Sequence, residues 1–155
     1  RGGHRLDQYE VMMRILFVDA GNYCRSPAAE AVARKLAARA GVAMSFSSAG
    51  LKDKHAGDTA DPRTIEACAA RGYDLGAFRC REITPADFAA SDLILAMDRD
   101  NMAELEARRP AGSTVPIRLF LGESEVPDPY YGEADGFGFM MDQIEEGALA
   151  LIGAR

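Results

Sequence analysis

Hydrophobic positions along the chain fall into short runs separated by longer amphipathic stretches. Residues 14–18, Arg-Ile-Leu-Phe-Val, form an apolar, β-rich run of the kind buried on both faces of a sheet and predict a strand. A polar, Gly-containing loop follows, then Ser26-Pro27-Ala28-Ala29-Glu30. Ser26 suits an N-cap and Pro27 the first helical position, and the Ala-rich stretch predicts a helix to about Ala40, stopped by Gly41. Residues 42–48 alternate like a second strand. Residues 49–60 read as a loop, and Asp61-Pro62 starts a helix that runs to about Arg71 before Gly72. Thr84-Pro85-Ala86-Asp87 opens another helix with a capping-box pattern. Leu93 to Met97 predicts a buried strand, Asp98 to Arg109 a helix closed by Pro110, and Val115 to Leu121 the last strand. A long loop carries Val126 to Gly132, and residues 135–152 close the chain as an amphipathic helix. Strands alternating with helices predict βαβ units, here a single α/β domain with a four-stranded parallel sheet flanked by about five helices.

Composition agrees with one soluble domain. The 155 residues are 48% apolar and 27% charged, enough to bury a core. Arg1 to Val11 is polar and continues no period, so residues 1–12 read as an N-terminal extension or a cloning remnant, and 13–155 as the domain. A formal net charge of −6 argues against bulk nucleic-acid binding, which needs a basic face. It leaves room for a local anion site built from backbone N–H groups.

Cys24, Cys68 and Cys80 are odd in number and widely spaced, without a Cys-x-x-Cys pair, which argues against a disulfide framework and a zinc site. His4 and His55 have no ligand cluster near them in sequence, and neither a metal nor a cofactor is expected. The absence of a transmembrane-length apolar run or a signal peptide gives a cytoplasmic expectation, with no membrane partner.

The loop after the first strand carries the chemistry. A strand that ends in a Gly-containing loop and opens a helix gathers N–H groups and the positive helix end on one point. Arg25, at the helix threshold, adds a planar fork suited to phosphate oxygens. Asp19-Ala20-Gly21-Asn22-Tyr23-Cys24-Arg25-Ser26-Pro27 resembles the signature of the low-molecular-weight protein tyrosine phosphatases, Cys-x-Gly-Asn-x-Cys-Arg-Ser-Pro. Asp128-Pro129-Tyr130-Tyr131 is similar to that family's general-acid loop. Ser48-Ala49-Gly50, Asp61-Pro62-Arg63, Arg71-Gly72-Tyr73 and Leu95-Ala96-Met97-Asp98 fall between them in the family's order.

The resemblance implies hydrolysis of phosphotyrosine on proteins, or of a small aryl phosphate, through a covalent phospho-enzyme. The side chain at position 19 would attack phosphorus. Arg25 and the loop residues Ala20, Gly21, Asn22, Tyr23, Cys24 and Ser26 would hold the phosphoryl oxygens, and equally a bound phosphate or sulfate. Asn22 and Ser26 would brace the loop, with Ser48 behind them. Asp128 would protonate the leaving phenolate and then activate water, while Tyr130 and Tyr131 would wall the cleft.

The nucleophile position is where the chain departs from the family. A thiolate is a strong nucleophile, whereas Asp19 brings a harder carboxylate that repels a phosphate. Two like unit charges about 4 Å apart cost about 4 kcal/mol at an effective dielectric of about 20. The expectation is a filled site in which the Asp19 carboxylate accepts loop N–H bonds and pairs with Arg25, leaving turnover impaired or absent. Aspartyl-phosphate chemistry generally uses Mg²⁺ held by further carboxylates, and the loop contains no such cluster. Cys24 cannot substitute, because the nucleophile precedes Arg25 by six positions. It reads instead as a small packed residue.

Phe78 stands where the family commonly has a histidine supporting the loop asparagine, and Lys54 where an aromatic often lines the cleft. These departures raise two alternatives. One is a pseudophosphatase that binds a partner without turning it over. The other is arsenate reductase, which shares the fold but needs further cysteines; Met97 stands where a resolving cysteine would be expected. Arg79, Arg81, Arg108 and Arg109 read as solvated surface, and Phe137, Phe139, Met140 and Met141 as core. Asp92, Asp98 and Asp100 read as helix caps and first-turn carboxylates rather than a cation site.

Overall fold

The computed structural model describes residues 12–133 and 135–153, so the predicted extension lies outside the described residues except for Met12. Four strands, β1 (Met13–Asp19), β2 (Met44–Gly50), β3 (Leu93–Ala96) and β4 (Ile117–Leu119), form one parallel sheet in the order β2-β1-β3-β4. Five helices connect or cover them: α1 (Arg25–Ala40), α2 (Pro62–Ala69), α3 (Pro85–Ala90), α4 (Arg99–Arg108) and α5 (Gly136–Gly153). The architecture is the expected single α/β domain, and the differences lie at element ends. Among the described residues no helix is long and apolar enough to cross a membrane.

β1 is central, and its uninterrupted apolar run reflects cover on both faces. Ile15 and Phe17 face one hydrophobic cluster with α1 and α5 residues, including Ala29, Val32, Met140 and Ile144. Leu16 and Val18 face a second cluster containing Phe88 of α3 and Leu105 of α4. Phe17 stacks on Phe46 at 5.9 Å between centroids and meets the edge of Phe120 at 5.3 Å. Burying a side chain of that size contributes about 2 kcal/mol.

The sequence signals for helix ends are visible as contacts. Gly41 takes a left-handed φ of 68° and its N–H donates to Ala38 O, closing α1. Asp61 caps α2 by accepting from Arg63 N, and Asp98 caps α4 by accepting from Asn101 N. Two expectations fail. Cys24, not Ser26, is the N-cap of α1, because the helix begins at Arg25 and puts Ser26 and Pro27 inside the first turn. Phe139 is 57% exposed while Phe137, Met140 and Met141 are buried, since a helix interior position between core-facing neighbours must point outward.

Strand order reverses at β1, from which the chain passes first to β2 and later to β3 on the other side. In open parallel sheets that point, beyond the carboxyl ends of the strands, is where ligands bind. Residues 20–24 occupy it. Gly50, opposite Asp19 in the β1–β2 register, lets the loop pack directly on β2: a Cβ there would stand 2.6 Å from Gly21 C and 2.7 Å from Asn22 N. Gly50→Ala is expected to destabilise the fold by about 1–3 kcal/mol, because backbone must move rather than a side chain. Denaturant titration checks this, and Asn22 and Gly21 amide shifts should change with it.

Candidate active site

The loop is organised around Asp19, which ends β1 and is 2% exposed. One carboxylate oxygen accepts the Asn22 N–H, and the other accepts the Ser26 N–H at 2.8 Å. Asn22 reaches this position in a left-handed conformation, φ 57°, which asparagine tolerates better than most side chains. Its side chain then holds the loop from behind. Nδ2 donates to Ser26 Oγ at 2.9 Å and Ser48 Oγ at 3.0 Å, and Oδ1 accepts from Arg81 N at 2.8 Å. Ser48 Oγ in turn donates to Glu30 Oε1 at 2.7 Å, and the other Glu30 oxygen pairs with Arg34.

Arg25 is almost fully buried, but it does not pair with Asp19. Its Nη1 donates to Asp98 Oδ2 at 2.7 Å and to Val126 O at 2.9 Å, and its Nη2 lies 3.6 Å from Asp128 Oδ2. The pairing expected from sequence is therefore replaced by a clamp on the far wall. Asp98 has one oxygen for capping α4 and a second for Arg25, so the guanidinium is fixed before any ligand arrives.

Burial is the main influence on Asp19 and pushes its carboxyl up from the ordinary value, against the opposing pull of Arg25 and the two N–H bonds. Burial also pushes the Cys24 thiol up to about 12, with Asp61, Asp19 and Asp128 adding to the effect.

The cleft above the loop encloses about 300 Å³ and brings together residues far apart in sequence. Asp19, Ala20, Gly21, Tyr23, Cys24 and Arg25 form its floor, with Asp128, Tyr130, Tyr131 and Lys54 around it. Tyr131 is 86% exposed and meets Tyr130 edge-on at 4.7 Å, and Lys54 Nζ stands 5.9 Å from the Tyr130 ring. Asn22, Ser26 and Ser48 lie behind the loop. Phe78 is on that rear side too, in a separate cavity with Ser48, and does not reach Asn22's carbonyl oxygen, which Arg81 N occupies.

His55 was not singled out from sequence, yet it lines the cleft and stacks flat on Tyr23 at 3.7 Å. Lys52 joins it there. Arg63, quoted from sequence only as part of a motif, binds Asp61, donates to Tyr130 O at 3.2 Å and lies 5.2 Å from the Tyr130 ring, holding the segment that carries Asp128. The loop and the Asp128–Tyr131 segment had motif wording that could be read ahead of the fold, whereas His55 and Lys52 had none. Among the described residues no group of three or more His, Cys, Asp or Glu side chains is arranged to hold a metal ion.

Cys68 and Cys80 are buried like Cys24, and their thiols are pushed up to about 12 and about 11. In the folded protein all three should stay unmodified by an aromatic disulfide reagent at pH 8 and react fully once denatured. Rapid release of one equivalent of thiolate from the folded chain would contradict that.

Comparison with known proteins agrees with this geometry. The sequence model of the low molecular weight phosphotyrosine protein phosphatases matches residues 14–154. A low molecular weight phosphotyrosine protein phosphatase of Schizosaccharomyces pombe is 39% identical over 136 residues, 81% of this chain and 86% of its own. The crystal structure of a protein tyrosine phosphatase from Entamoeba histolytica, with Hepes in the active site, superposes with a TM-score of 0.84 at 38% identity, covering 90% of this chain and 94% of that one. Wzb of Vibrio vulnificus, solved in complex with benzylphosphonate, gives 0.83 at 30% identity, covering 94% of this chain and all (100%) of its own. The chain belongs to the low molecular weight phosphotyrosine protein phosphatase family.

Proposed function

We propose that this chain is a phosphotyrosine-directed member of the family in which Asp19 stands at the nucleophile position and hydrolysis is impaired. The observation that carries the reading is the engagement of Asn22 N–H and Ser26 N–H by the Asp19 carboxylate. Those donors are the ones a phosphoryl group would need, and an internal anion already satisfies them.

The remaining parts support the substrate class. Arg25 is fixed at the cleft floor, and the exposed Asp128 stands 3.6 Å from it at the cleft mouth, able to meet a leaving phenolate oxygen. Tyr130 and Tyr131 offer aromatic faces of the kind that accept a phenyl ring. Benzylphosphonate, a phenyl ring one carbon from a phosphonate, occupies a relative and fits the same class. Lys52, Lys54 and His55 give the rim a basic character suited to a phosphorylated segment.

For turnover the acceptor at position 19 must displace the phenolate in line, while Asp128 supplies the proton that leaves with it. A carboxylate locked by two N–H bonds is a weaker nucleophile than a thiolate and repels the incoming dianion. The barrier rises on both counts. Phosphotyrosine recognition without turnover is a second reading, favoured by the persistence of the aromatic wall and basic rim despite Asp19. It requires a phosphotyrosine peptide to bind the unaltered protein, whereas the filled loop predicts weak binding that strengthens in Asp19→Ser.

Aryl phosphate hydrolysis in EDTA is the test, comparing the protein with its Asp19→Cys variant. The variant should be at least about a hundredfold faster, a difference of about 2.7 kcal/mol in barrier. Parity between the two would overturn the proposal. A rate in the unaltered protein that appears only with Mg²⁺, together with an acyl-phosphate, would make Asp19 a nucleophile in its own right.

A further inference from the structure

Behind the phosphate loop lies a second cavity, of about 730 Å³, between α1, the outer strand β2 and the segment 72–81. It is larger than the cleft, and no step proposed above uses it. Two of its cations are neutralised: Arg34 pairs with Glu30, and Arg81 with Asp87. The other two are not. Lys35 Nζ is held by the Gly72 carbonyl, and Arg79 Nη1 donates to the carbonyls of Gly76 and Phe78. Among the described residues neither Lys35 nor Arg79 has a carboxylate ion-pair partner.

These two charges stand beside a partly apolar wall. Ala77 is exposed and Phe78 partly buried, the buried Tyr73 and Leu75 back them, and Lys35 Nζ is 5.5 Å from the Tyr73 ring centre. Among the described residues two cations without a carboxylate partner face one carboxylate, Asp74, without a cation partner, and this net positive charge on a chain of net charge −6 marks a local anion preference. Backbone carbonyls hold both cations in place, so little side-chain freedom is lost when a ligand binds. Asp74 at the wall discourages a highly charged ligand, which favours a single negative head on a planar apolar body.

The cavity also touches the brace of the phosphate loop. Ser48 lines it, and Ser48 Oγ is the link between Glu30 Oε1 and Asn22 Nδ2. Asn22 N–H is one of the two donors to Asp19. We propose that this rear cavity binds an aromatic organic monoanion, and that its occupancy is felt at Asn22 through Ser48 and Glu30.

The test is a ¹⁵N-resolved NMR titration of the full chain with 2-naphthalenesulfonate. The expected result is saturable shifts at Gly72, Phe78 and Arg79, with the Asn22 side-chain amide following the same curve. Lys35→Glu with Arg79→Glu should weaken binding at least about tenfold. Arg79→Gln should weaken it in the same direction with a smaller change to the fold, whose integrity is read from thermal unfolding. Shifts confined to residues 20–25 and 130–131 would overturn the rear site, as would an affinity unchanged in these variants. Saturation at Gly72 and Arg79 with Asn22 unmoved would overturn the coupling. None of these readouts depends on hydrolysis, so the outcome is independent of the role proposed for Asp19.

Discussion

Two hydrogen bonds from the loop backbone to the Asp19 carboxylate set the character of this protein. They join the end of β1 to the start of α1 across a reversal of the chain, and they occupy the point where N–H dipoles converge. A short anionic side chain at that point closes the loop on itself. Donors able to receive an oxyanion here serve the chain's own carboxylate. Arg25 completes the picture by giving its hydrogen bonds to Asp98 and the Val126 carbonyl rather than to Asp19.

The scaffold around that point leaves the loop little room to rearrange. Asn22 holds a left-handed backbone because three further hydrogen bonds fix its side chain, and Gly50 lets the loop backbone sit closely on β2. Ser48 and Glu30 extend the bracing onto α1, where Glu30 pairs with Arg34 one turn further along. The front cleft and the rear cavity are therefore two faces of one hydrogen-bonded layer.

Much of this was legible in the sequence, for identifiable reasons. The run at 14–18 marked a central strand because burial on both faces leaves no polar positions to alternate. Asp61 and Asp98 marked helix starts because capping is a local interaction. The loop and Asp128 were legible through the wording of two motifs. What stayed hidden was long-range. Asp98 already had a sufficient local role as a cap, so nothing suggested that its second oxygen holds Arg25. His55 and Arg63 sit in or after an aperiodic loop, and only the fold brings them to Tyr23 and Tyr130. Ser26 read as a cap by residue type, yet Cys24 caps the helix two residues earlier than that reading allows, and the Ser26 N–H serves Asp19.

Asp19 is a buried, loop-bound carboxyl, and its protonation can be followed directly. Burial raises its folded value, so the protonated form contributes stability that is complete below the ordinary carboxylate range and is lost as pH climbs through the folded value. The decisive measurement is a ¹³C NMR pH titration of the Asp19 carboxyl carbon, assigned by comparison with Asp19→Ser, together with the amide protons of Asn22 and Ser26. The expected midpoint lies above the ordinary aspartate value of about 3.9, with both amide protons moving along the same curve. A carboxyl that titrates at the ordinary value, with Asn22 and Ser26 unmoved, would contradict it.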